Sequence, residues 1–124
     1  MFNINRVSDV PIYEQLIAEI ERYVLAGLIR PGEKLPSVRN LSVEHSVNPN
    51  TVQKAYTELE RQKLCYSVPG SGRFIAEDAV DLLRGKKSEL LDKVAELARE
   101  LRTSGMAEEE IIKTVHAVYT ETGI

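Results

Sequence analysis

Two short amphipathic helices parted by about three residues, a glycine-containing hairpin directly after them, and two more amphipathic helices at the end make this a mainly α chain on paper. In α+β terms that is a winged helix-turn-helix over residues 9–78, followed by a C-terminal two-helix dimerisation appendage over residues 79–124. At 124 residues with 43% apolar content, the chain is sized for one ordinary domain, or a small domain with a helical extension.

The first helix starts at Pro11, with Asp9 as a possible cap. Ile12, Leu16, Ile20, Val24 and Leu28 recur at i+4, and Tyr13, Ile17 and Tyr23 widen the stripe. Arg30-Pro31-Gly32 reads as a turn, and Lys34-Leu35 as a very short edge strand. The second helix is capped by Ser37, with Val38, Leu41 and Val43 inward, and stops near His45-Ser46. The third is capped by Asn48, carries Pro49 at its first position, and buries Val52, Ala55, Tyr56 and Leu59. So short a link between the two forces a steep crossing.

Cys65 to Pro69 and Arg73 to Ala76 form two strands joined by Gly70-Ser71-Gly72, a wing in position and length. Asp78 then caps a long helix with Leu83, Leu90, Val94, Leu97 and Leu101 spaced mostly by three or four. Thr103-Ser104-Gly105 breaks it, and a last helix runs from Ala107 to about Thr122 with Ile111, Ile112, Val115, Val118 and Tyr119 apolar.

The net charge of −3 argues at first against an anionic partner. Residues 1–76, however, hold 9 Lys/Arg against 8 Asp/Glu, and residues 77–124 hold 7 against 11, so the acidity belongs to the tail. A local basic face on the front part is allowed. One cysteine, Cys65, excludes an internal disulfide and reads as a buried small hydrophobe, which suits a reducing cytoplasm. No apolar run approaches ~20 residues, and the first five residues lack a signal-peptide pattern, so no membrane role is expected. His45 and His116 stand apart, no Cys/His pair has metal spacing, and Gly70-Ser71-Gly72 lacks the lysine and following helix of a phosphate loop. Neither an enzyme nor a metal or cofactor site is expected.

The residues that do carry chemistry point to double-stranded DNA. The third helix opens on Asn48-Pro49-Asn50-Thr51, a polar, donor-rich first turn of the kind that enters a major groove. Asn48 is occupied as the cap, which leaves Asn50 and Thr51 on the tip. Asparagine can bond an adenine edge bidentately, and threonine can meet a phosphate or a thymine methyl. Gln53 and Lys54 follow on the outer side. Ser37 and Arg39 lie in the first turn of the second helix, where a phosphate meets a helix N-terminus; alternatively, Arg39 pairs with Glu33 or Glu44. Gly70, Ser71, Gly72 and Arg73 can bring backbone N–H groups and a cation to the minor groove or its phosphates.

These motifs resemble the GntR family of bacterial transcription regulators. The resemblance rests on Pro11-Ile12-Tyr13-Glu14-Gln15-Leu16, on Arg30 through Leu41, on Val47-Asn48-Pro49-Asn50-Thr51-Val52, and on Gly70-Ser71-Gly72-Arg73-Phe74. The short helical tail is similar to the YtrA-like subgroup. The resemblance implies a winged helix that binds a palindromic operator as a homodimer, usually to repress, with DNA contacts at Arg39, at the start of the third helix and at the wing. It departs in two places: Ser46 stands where many members have glycine, and Arg73 stands where threonine is usual.

Fewer than fifty residues follow the wing, too few for the enclosed sensor domain of many members, so a small-molecule effector stays open. Two amphipathic helices cannot hide their own stripes, and pairing with a second copy solves this. Leu83, Leu90, Val94, Leu97, Leu101, Ile111, Val115 and Val118 are the expected dimer interface; the alternative is that this stripe packs on its own head. A winged-helix protein–protein adaptor that binds no DNA is the rival reading, favoured by the negative total charge and the acidic first helix.

Overall fold

The first helix exists because its apolar residues recur with the period of a helix facing a core. The computed structural model describes residues 1–121, in which α1 spans Ile12–Leu25 and buries Leu16, Ile17, Ile20 and Val24. It begins straight after Pro11, whose carbonyl accepts the N–H groups of Glu14 and Gln15, each at 3.1 Å. Leu28, which continues the stripe on paper, is 63% exposed, because the helix has ended and the chain is turning. Ile29 fills the inner place instead.

Helix α2 (Val38–His45) is capped by Ser37, whose Oγ accepts the Asn40 N–H at 3.0 Å. Leu41 and Ser42 are its buried residues, while Val43, expected inward, is 74% exposed. Ser42 takes that inner position because its hydroxyl donates to the Val47 carbonyl across the turn, and among the described residues no buried side-chain nitrogen or oxygen is left unpaired. Ser46 ends α2 in the left-handed region, at φ 51° and ψ 46°. Helix α3 (Pro49–Arg61) follows at once and buries Val52, Ala55, Tyr56 and Leu59. Its face packs on both α1 and α2, which makes the helix-turn-helix.

Strands β1 (Cys65–Val68) and β2 (Gly72–Ile75) pair antiparallel, with Cys65 opposite Ile75 and Tyr66 opposite Phe74. The turn after α1 adds a third, irregular rung. The Gly32 N–H donates to Ile75 at 2.7 Å, the Leu35 N–H donates to Arg73 at 2.8 Å, and Lys34 bridges to Phe74.

Residues 1–10, of which 1–8 stood outside the expected domain, are structural. Phe2 is buried edge-on against Tyr23 and stacked near His45. Gln15, fully buried on α1, accepts the Asn5 N–H at 2.8 Å and donates to the Asn5 and Val10 carbonyls at 2.9 and 2.8 Å. Arg6 donates to the His45 and Ser46 carbonyls at the end of α2, where a cation also complements the helix dipole.

The chain divides into two compact units, Met1–Leu83 and the described residues from Arg84 onward. Helix α4 (Ala79–Thr103) begins in the first, where Ala79 and Leu83 join the core of α1, α3 and the strands. This corrects one sequence expectation: Leu83, only 3% exposed, fills the head's own core and is unavailable to a partner. In the second unit α4 runs to Thr103, Gly105 turns the chain, and α5 (Glu108–Tyr119) follows with three glutamates in its first turn, where they favour the dipole. The expected end of α5 at Thr122 lies outside the described residues.

Candidate nucleic-acid interface

Cap chemistry decides which polar groups of α3 remain available. Asn48 Oδ1 accepts the Asn50 N–H at 2.8 Å, so Asn48 is engaged in starting the helix. Asn50 is exposed, and Thr51 is half-buried. One turn on, Gln53 donates to the Thr57 hydroxyl at 3.4 Å, and Lys54 holds its ammonium 4.0 Å from the centre of the Tyr13 ring. Asn48, Asn50, Thr51 and Lys54 share one open depression with Pro11, Ile12 and Tyr13, so the start of α1 flanks the start of α3. Tyr13 read in the sequence as a stripe-widening residue; its place next to Lys54 follows from the α1–α3 crossing, which no local pattern encodes.

On α2, Ser37 is occupied by its cap bond, while Arg39 is exposed. Among the described residues Arg39 forms no ion pair, with Glu33, Glu44 or any other carboxylate. The structure therefore leaves its guanidinium free beside the first turn of α2.

The wing is sorted by the strand pleat. Cys65 and Ile75 face the core, so Ser67 and Arg73, two residues along each strand, lie on the same side, toward α3. There Arg73 Nε donates to Glu60 Oε1 at 2.6 Å, its guanidinium lies 5.3 Å from the Tyr56 ring, and the Ser67 hydroxyl donates to the same carboxylate oxygen. These bonds from Ser67 and Arg73 hold the Glu60 carboxyl below its ordinary range. Arg73, offered by the sequence as a phosphate contact, is thus committed to an intramolecular pair. Tyr66 and Phe74 stack on the opposite face, 5.9 Å apart. Gly70-Ser71-Gly72 forms the tip, closed by the Ser71 N–H donating to Val68 at 2.9 Å.

The interior beneath the site is cross-braced. The Tyr56 hydroxyl donates to the Pro36 carbonyl at 2.7 Å, and burial pushes its ionisation upward. Burial likewise raises the Cys65 thiol to about 11, so it stays protonated. Among the described residues no group of three or more His, Cys, Asp or Glu is placed to hold a metal ion. No described helix is long and apolar enough to cross a membrane.

Residues 12–75 match the family described as bacterial regulatory proteins, gntR family. The chain belongs to the GntR family. As such it is a helix-turn-helix DNA-binding regulator. Among GntR relatives, it is 38% identical over 112 residues to the HTH-type transcriptional repressor YtrA of Bacillus subtilis, covering 90% of this chain and 86% of that one. A transcriptional regulator from Oenococcus oeni is similar in structure, with a TM-score of 0.67 and 34% identity over 94% of this chain and 97% of the other. AraR(DBD) in complex with operator ORE1 matches with a TM-score of 0.53 and 33% identity over 61% of this chain and 93% of that one.

Proposed function

We propose that this GntR protein is a sequence-specific repressor that binds a palindromic operator as a homodimer, and that it is YtrA-like in carrying a short helical tail. The observation that carries the reading is the bared start of α3: Asn48 supplies the cap, and the exposed Asn50 beside it is left without a structural duty. In this reading Asn50 reads a base edge with Thr51, Gln53 and Lys54 around it, while Ser37 and Arg39 hold a phosphate at the start of α2. Gly70, Ser71 and Gly72 approach the backbone through their N–H groups, and Arg73 sets the wing's pose through Glu60.

Dimerisation is supported by the apolar residues that α4 and α5 leave bare. Leu90, Val94, Leu97, Leu101, Val115 and Val118 are all exposed, Leu97 at 59%, and Ile111 is half-buried. Such a set on one short unit is the face a second copy covers. Two linked heads about one helical turn apart, ~34 Å, then read both halves of a palindrome. The repressor YtrA and a YtrA from Sulfolobus acidocaldarius, at 28% identity and a TM-score of 0.57 over 97% of both chains, support the subgroup.

Selection of purified protein on a random duplex pool at near-physiological salt tests the reading. Enrichment of a two-fold symmetric consensus is expected. A folded, dimeric protein that enriches nothing would overturn operator binding and favour a protein–protein adaptor.

A further inference from the structure

We infer that Lys34, outside the helix-turn-helix, is the wing's phosphate-binding cation, and that Gly72 is glycine partly to let it reach the tip. The inference rests on the DNA-binding reading and adds a contact to it.

The geometry starts from strand parity. Lys34 bridges to Phe74, while its neighbour Leu35 is buried at 2% exposure, so Lys34 lies on the outer face of the wing with Phe74 and Tyr66. Gly72 lies two residues from Phe74 on that same face, one step nearer the tip. Diagonal neighbours on a sheet are within reach of a long side chain. Lys34 uses this: a Cβ built on Gly72 would stand 2.7 Å from Lys34 Cε and 3.5 Å from its Nζ. The stem therefore crosses the bare glycine with the ammonium directed toward the tip. Any larger residue there would turn it away, and the φ of +114° at Gly72 disfavours other residues independently.

Charge makes the exchange meaningful. Arg73 is neutralised by Glu60 on the inner face, whereas Lys34 forms no ion pair among the described residues. Among the described residues the wing's one unneutralised cation is then Lys34, beside backbone N–H groups that already suit a phosphate. A phosphate contact carries no sequence information, so its loss must weaken binding to any duplex alike.

The test uses the full chain and a random-sequence duplex of roughly 30 base pairs, long enough for two heads a turn apart. Affinity is followed by fluorescence anisotropy between about 50 and 200 mM salt. Lys34→Gln should flatten the slope of log affinity against log salt by about 0.9 for each head bound. Lys34→Arg should keep the wild-type slope, and Lys87→Gln, on the tail, should leave it unchanged as a control for net charge. A Lys34→Gln slope equal to a steep wild-type slope would overturn the inference alone. Equal flattening by Lys87→Gln would overturn it too, by reducing the effect to net charge. Wild-type protein with no salt-dependent binding would bring down the DNA reading and this inference together.

Discussion

Arg73 and Glu60 form the ion pair, 2.6 Å long, that ties the wing to α3. Strand parity aims Arg73 inward, and Glu60 is the last-turn residue of α3 that meets it. The pair lies at a partly buried edge, with Ser67 completing the carboxylate's hydrogen bonds.

Its pH dependence follows from the sign of the shift. Glu60 has a folded-state pKa below the ordinary 4.5, so the stability it contributes is complete above that value and is lost as pH falls through the lower folded value. Glu60→Gln should therefore lower the denaturation midpoint at neutral pH and approach wild type at an acid pH below the lowered folded value. Urea titrations at both pH values check this. A variant equally destabilised at both would show that the carboxylate's charge is irrelevant.

Leucines on α4 should separate by unit. Leu83→Ala removes a side chain from the head's core and should cost ~2–5 kcal/mol in thermal unfolding. Leu97→Asp alters an exposed position and should instead give monomers in sedimentation with the head still folded. A dimer unaffected by Leu97→Asp removes that face from the interface.

Arg39→Ala and Asn50→Ala should differ in kind. Loss of a free guanidinium should weaken binding to operator and random DNA by the same factor. Loss of Asn50 should cost ~1–3 kcal/mol at one base position and leave random DNA almost unaffected. Competition binding with single-base operator variants distinguishes them, and equal losses for Asn50→Ala on all sequences would sink its base-reading role.

Ser46→Gly should stabilise the head. Ser46 holds φ at 51°, a region that costs an L-residue about 1 kcal/mol and glycine nothing. The gain is set against the extra freedom glycine has when unfolded, so a rise of a few tenths to 1 kcal/mol is expected by chemical denaturation. A fall would mean that the Ser46 side chain contributes at the turn.

Periodicity and caps carried most of the fold. The inner faces of α1 and α3, the caps at Ser37 and Asn48, and the glycine turn of the wing were all written locally. What escaped was set at a distance. Leu28 and Val43 fit a helical stripe, yet lie outside because one helix ends early and a serine bonds across the turn in place of the other. Arg73 looked free because its partner lies thirteen residues back, and the face it takes depends on strand register. Residues 1–10 have no period at all; their order comes from Gln15, Tyr23 and the end of α2.

Tyr56 gives this bracing its wider meaning. One side chain joins α3 to the segment before α2, while Glu60 on the same helix holds the wing. In the proposed DNA-binding role, a head so triangulated would have little disorder to surrender on docking, so little of its contact energy would go to arranging itself. In the proposed dimer, control is then a question of spacing: the separation of two such heads is the variable an operator would measure and a signal would have to change.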